Sequence, residues 1–184
     1  TRPNVPKMPV TELYVDESCR DDYLLCAAVV PADDVAVARK LMRDLTPKNR
    51  DRLHMKNETR NRGQIIRQFV AQPPISQAHI FVGSLRGARQ RHVRTLCLQA
   101  LADFAADTGA RRILVESCSQ DKQDHAALTG VLAARKALDR IRVDVDKPTA
   151  HELLWAADLV AWAYGAGGAA RAAIAPLVTV HQLA

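Results

Sequence analysis

No C-x-x-C pair occurs among the four cysteines, Cys19, Cys26, Cys97 and Cys118, and no His/Cys cluster has zinc-finger spacing. That argues against a structural zinc site. Cys26 and Cys97 fall inside apolar runs, and the set reads as core and surface thiols suited to a reducing cytoplasm. The first nine residues hold three prolines and no apolar h-region, so a cytoplasmic rather than a secreted protein is expected. No internal repeat or low-complexity linker divides the chain, and its 184 residues fit one domain. Its longest apolar stretch, 153–170, is rich in Ala and Gly and carries Asp158, which fits a buried core helix and no membrane span. What is abundant is positive charge: 26 Lys plus Arg against 20 Asp plus Glu leave a formal net charge of +6. The excess favours an anionic partner such as nucleic acid, although an Arg- and Ala-rich composition can also be genomic background.

The patterning predicts alternating strands and helices. Val10 to Asp16 and the apolar run Tyr23 to Val30, separated by polar Ser18–Asp22, form an expected β-hairpin with a buried second strand. Helical spacing follows in Val35, Ala38, Met42 and Leu45, and again around Ile65, Ile66, Phe69 and Val70. The polar, basic stretch 46–61 between them reads as a surface connection. Strands are expected at 79–85, 112–117 and 141–145, with a long helix from Gly87 to Gly109 and another over 122–138. Thr149-x-x-Glu152 reads as a capping box opening the last helix, which Gly165, Gly167 and Gly168 end. The expected organisation is a flexible arm over 1–9, one α/β domain over 10–168 with a five-stranded mixed sheet and helices on both faces, and a tail over 169–184. The short apolar segment Leu177–Val180 has no clear assignment.

Asp158 is the only charged residue between Leu153 and Ala170. A carboxylate on a helix that is apolar on every side loses several kcal/mol of hydration unless a basic group, a shared proton or a metal ion compensates it. Two other acids stand at comparable places, Asp16 at the end of the first strand and Glu116 near the end of a later one. Acids at adjacent strand ends, faced by a helix packed across them, can converge and hold Mg²⁺ or Mn²⁺, hard ions that prefer oxygen ligands and serve phosphodiester hydrolysis.

Three segments together carry a family resemblance: Leu13-Tyr14-Val15-Asp16-Glu17-Ser18 before a buried strand, Leu53-His54 ahead of an Arg-rich helix, and Ala157-Asp158-Leu159 in the last helix. The chain, over residues 10–165, is similar to a bacterial family of unknown function with a D-E-S-G opening and a closing L-Q-x-A-D-L helix, placed in the ribonuclease H-like superfamily. The resemblance implies a ribonuclease H-like fold and a metal-dependent nuclease, with Asp16 as the first-strand acid, Asp158 as the last-helix acid and Glu116 as the fourth-strand acid. Asp121 is the alternative for that third place. Two positions depart from the family: Cys19 replaces the glycine after D-E-S, and Leu153-Leu154-Trp155 replaces the L-Q.

Each candidate has a structural alternative. Asp16 and Glu17 could open a polar turn, and as strand neighbours they face opposite ways, so only one can serve the site; Asp16 is preferred. Glu116 could pair with Arg112 on a solvent face, and Asp158 could be a salt-bridged core carboxylate. His54 and Lys56 are candidates for phosphate contact or members of an exposed basic loop. His151 shares a helix face with Trp155, Asp158 and Trp162 and is a candidate base or phosphate contact, or simply a surface histidine. Arg86, Arg89, Arg91 and Arg94 would hold phosphates if they lie on the catalytic side. Trp155 and Trp162 read as core packing. The expected activity is metal-dependent nucleic-acid hydrolysis. A non-catalytic interaction module instead predicts Asp158 paired with Arg or Lys and no convergence of the acids, and a homo-oligomeric role would use the Ala- and Gly-rich C-terminal region.

Overall fold

The computed structural model describes residues 8–184, so all but the last two residues of the expected arm lie outside the described part. Its hairpin pairs β1 (Thr11–Cys19) with β2 (Asp22–Pro31), antiparallel and in register from Thr11↔Pro31 to Cys19↔Tyr23. The turn spans only Arg20 and Asp21. Cys19 remains in the extended strand, and among the described residues Lys136 is the one non-glycine with positive φ, so this turn does not need the glycine found in the similar family. After α1 (Val35–Leu45) and α2 (Arg62–Ala71) come β3 (Gln77–Ser84), α3 (Gln90–Ala106), β4 (Ala110–Glu116), α4 (Asp121–Ala134) and β5 (Arg142–Asp146). The buried helix is α5 (Glu152–Ala166), followed by α6 (Gly168–Ile174) and β6 (Val178–Gln182).

The sheet has six strands, ordered β5-β4-β1-β2-β3-β6, where five were expected. The sixth is β6, drawn from the segment read as a tail: it pairs parallel with β3, from Ala78↔Val178 to Val82↔Gln182. Five residues next to an Ala-rich helix give too short an alternation to be assigned from sequence, and the strand exists because the edge of β3 offers it a hydrogen-bonding partner. Only β2 runs against the others, so β1, β3, β4, β5 and β6 all point their carboxyl ends the same way.

Helices cover both faces. On one side Tyr14, Cys26, Ala28 and Val30 pack against α1, α2 and α5; on the other Leu13, Val15, Leu25 and Ala27 pack against α3 and α4. Because both faces are covered, β2 is buried as a continuous run rather than in alternation. The same enclosure explains α5: the sheet, α1, α6 and the Met55–Asn57 turn pack around it, so nine of its fifteen residues are buried. Gly167 ends it at φ 69, a conformation L side chains resist.

The capping box does not form. Pro148–Ala150 winds into a 3-10 turn, His151 takes the cap position, and its Nδ1 accepts from Leu153 N at 3.4 Å. Glu152, freed from capping, accepts from Arg39 Nε at 2.6 Å and Arg43 Nη1 at 2.8 Å, tying α5 to α1. Burial opposes its ionisation, but these hydrogen bonds prevail and hold the carboxyl down at about 2.

Candidate active site

Alternation along β1 sends Glu12, Tyr14 and Asp16 toward α5, and Leu13, Val15 and Glu17 toward α3 and α4. Asp16 is only 7% exposed, and its Oδ1 accepts from the Glu17 backbone N–H at 2.7 Å. Parallel pairing sets Val15 beside Val115 and so brings Glu116, the last residue of β4, to the same sheet end as Asp16. From α5, Asp158 reaches the same place. Asp16, Glu116 and Asp158 line one small recess together with Arg52 and His54, walled by Pro148, Leu154 and Trp155.

The charges in this recess are unevenly compensated. Asp158 accepts from the Met55 backbone N–H at 2.8 Å and lies 3.2 Å from His54 Nδ1. Arg52 Nη1 donates to Glu116 at 3.2 Å, while Arg112, the alternative partner for Glu116, pairs with Asp144 at 2.9 Å. Among the described residues, no Lys or Arg pairs with Asp16 or Asp158. Burial first, then a hydrogen bond shared with Glu116 and the charges of Glu116, Glu17 and Asp158, holds the Asp16 carboxyl well above the ordinary carboxylate range. A buried carboxyl facing two others, with no cation paired to it among the described residues, is an environment that a hard divalent cation would relieve, and the all-oxygen donor set fits Mg²⁺ or Mn²⁺.

The other candidates are dispersed. Glu17 lies on the opposite face, 2.8 Å from Arg94 Nη1. Lys56 is exposed in the 3-10 turn Met55–Asn57. His151 is half-buried against Tyr14, with ring centroids 4.8 Å apart, and burial together with Arg39 and Arg112 lowers its pKa. Asp121 opens α4, where it accepts from Ser117 Oγ at 2.6 Å and Cys118 N at 2.7 Å. With Cys118 and Asp124 it forms the one group among the described residues whose three donor atoms all lie within 4.8 Å of one another, a spacing that Asp16, Glu116 and Asp158 do not show. That group is already satisfied: Asp124 accepts from Arg94 Nη2 at 2.7 Å and Nε at 3.0 Å, and Arg94, read as a phosphate contact if on the catalytic side or else part of a solvated helix face, is only 3% exposed and is neither. A cation there would compete with a buried guanidinium, so the recess around Asp16 is the better metal candidate.

Two contributors escaped the sequence reading. Arg52 and the Met55 N–H come from the stretch 46–61, expected as a surface connection. Its Leu53 and Met55 are in fact buried at 1% and 0%, and they anchor the segment against α5. The signal was there in an apolar-His-apolar pattern within a basic run, which places His54 between two anchors.

The mixed six-stranded sheet, sandwiched by helices and carrying acids at the carboxyl ends of its strands, has an α/β fold of the ribonuclease H-like kind. Among solved structures the chain is similar to the ribonuclease H2 from Pyrococcus horikoshii OT3, with a TM-score of 0.56 and 16% identity over 83% of this chain and 71% of that one. At that identity the likeness establishes the fold alone. No family model matches the chain, and neither does any curated protein. No helix among the described residues is long and apolar enough to cross a membrane.

Proposed function

We propose that this protein is a divalent-metal-dependent nuclease that hydrolyses phosphodiester bonds of DNA or RNA, with Asp16, Glu116 and Asp158 holding Mg²⁺ or Mn²⁺. The observation that carries this reading is the meeting of three carboxylates from β1, β4 and α5 in one recess, one of them buried without any basic partner. The bound ion would supply Lewis acidity to the phosphodiester and lower the pKa of the attacking water. The chain's own residues orient and bind. Met55 N–H and His54 fix the Asp158 carboxylate, Glu17 N–H fixes that of Asp16, and Arg52 stands beside Glu116 where a phosphate oxygen can exchange for the carboxylate. The net charge of +6 supports an anionic substrate.

A second reading, a non-catalytic interaction module on the same fold, draws on the Arg52–Glu116 ion pair, which neutralises one of the three acids without a metal. Calorimetric titration of Mn²⁺ into the wild type and Asp158→Asn, run beside cleavage assays on single- and double-stranded DNA and RNA, separates the two. Saturable Mn²⁺ binding and cleavage, both lost in the variant, are expected. A wild type that binds no Mn²⁺ and cleaves nothing would sink the nuclease reading and favour the module.

A further inference from the structure

The cations near the recess do not all serve it. Trp162 follows Asp158 by four residues on α5, about 6 Å along the helix axis. Its half-buried ring carries two guanidinium groups, Arg62 Cζ at 4.5 Å and Arg20 Cζ at 5.7 Å from the centroid. The two arginines are held differently. Arg62 donates from Nε to Met55 O at 2.8 Å and from Nη2 to Lys56 O at 2.7 Å, bracing the turn whose Met55 N–H holds Asp158. Arg20, at the tip of the β1–β2 hairpin, is exposed and makes no ion pair or side-chain hydrogen bond among the described residues.

Its place is nevertheless prepared. A Cβ at position 165 would stand 3.1 Å from Arg20 Nε, 3.2 Å from Leu24 Cδ1 and 3.3 Å from Arg20 Cδ, so glycine there lets the arginine lie closer to α5 by a few tenths of an ångström than a larger residue would. Further along, Arg171 Cζ sits 4.2 Å from the Tyr164 ring centroid, and Arg171 lines a recess with Arg20, Asp21 and Asp22, two acids that make no ion pair with either arginine among the described residues. Guanidinium groups on aromatic faces therefore follow Asp158 to the end of α5. A guanidinium held within cation–π distance of an indole, with its N–H fork unspent, can accept an anionic oxygen pair such as a phosphate. Because the guanidinium groups cover the Trp162 ring, the contact engages backbone rather than base and carries no sequence preference.

We propose that Arg20, lying over the Trp162 ring beside Gly165 and flanked by Arg62, forms a phosphate-binding ledge for the nucleic-acid strand. Residues 162–165 lie about 6–10 Å along the axis from Asp158, so one strand can meet both the ledge and the recess. The partner class rests on the function proposed above, but cleavage is not assumed.

Binding of a short labelled single-stranded oligonucleotide is measured in EDTA, across a range of salt, for wild type, Arg20→Ala and Asp158→Asn. Arg20→Ala should weaken binding about tenfold and lower the slope of log K against log salt by about 0.7, with an unchanged melting temperature, and Arg20→Lys should restore part of the affinity. Equal affinity and slope for Arg20→Ala and wild type, or no binding by the wild type, would overturn the ledge. Failure of the nuclease reading looks different: no Mn²⁺-dependent cleavage while oligonucleotide binding stays sensitive to Arg20.

Discussion

Asp16→Asn should make the metal-free protein more stable and the metal-loaded protein less so. Ionised Asp16 is a buried charge whose charged neighbours Glu116, Glu17 and Asp158 are also negative. Asn preserves the shape, its Oδ1 can still accept from Glu17 N–H, and its amide can donate toward Glu116 where a carboxylate repels. A buried uncompensated charge costs several kcal/mol, part of which the protein escapes by keeping the group protonated. The expected net gain is about 1–3 kcal/mol, the usual cost of a poorly satisfied buried polar group. For a chain of this size each kcal/mol moves Tm by about 2–4 °C, so calorimetry in EDTA should show a rise of about 2–12 °C. Mn²⁺ at a thousandfold excess over its Kd adds about 4.1 kcal/mol to a protein that binds it and nothing to one that does not, which reverses the order. Asp16→Ala, which leaves the Glu17 N–H without its acceptor, should gain less. An Asp16→Asn protein that melts at or below the wild type in EDTA would refute the uncompensated-cluster reasoning.

Two further outcomes concern the opposite side of the sheet. Arg94→Met leaves Asp124, only 2% exposed, and Glu17 without their cation; urea unfolding should show a loss of about 3–5 kcal/mol, and an unchanged midpoint would mean the network adds nothing. His79 on β3 lies 3.0 Å from His181 of β6, and burial together with the charge of His181 lowers its pKa to about 4 from an ordinary 6.5. A depressed histidine stabilises the fold fully above pH 6.5, and that contribution, at most about 3 kcal/mol, is lost as pH falls toward 4. Amide exchange over 178–182, corrected for its intrinsic pH dependence, should accelerate across that window. Protection of β6 that stays constant from pH 7 to 4 would contradict the coupling.

The sequence by itself determined the layers. Hydrophobic period and turn residues are local, so the hairpin, the long α3 and the all-apolar α5 were legible in it, as was Asp158 as a charge that needs a partner. Strand alternation likewise separated Asp16 from Glu17 before any contact was seen. Local signals could not settle which acids share a recess: Asp16, Glu116 and Asp158 meet only through the β1–β4 register and the packing of α5 across it. The same limit hid β6, whose five residues become a strand only beside β3, and the capping role of His151, which depends on Arg39 and Arg43 of α1 claiming Glu152. It also hid Arg94 as a buried anchor, since one arginine in a basic run looks like the next until Asp124 and Glu17 close around it. Charge compensation is a long-range property of side chains brought together by the sheet, and in this protein only the tertiary structure decided which cations bind acids and which, like Arg20, pair with none among the described residues.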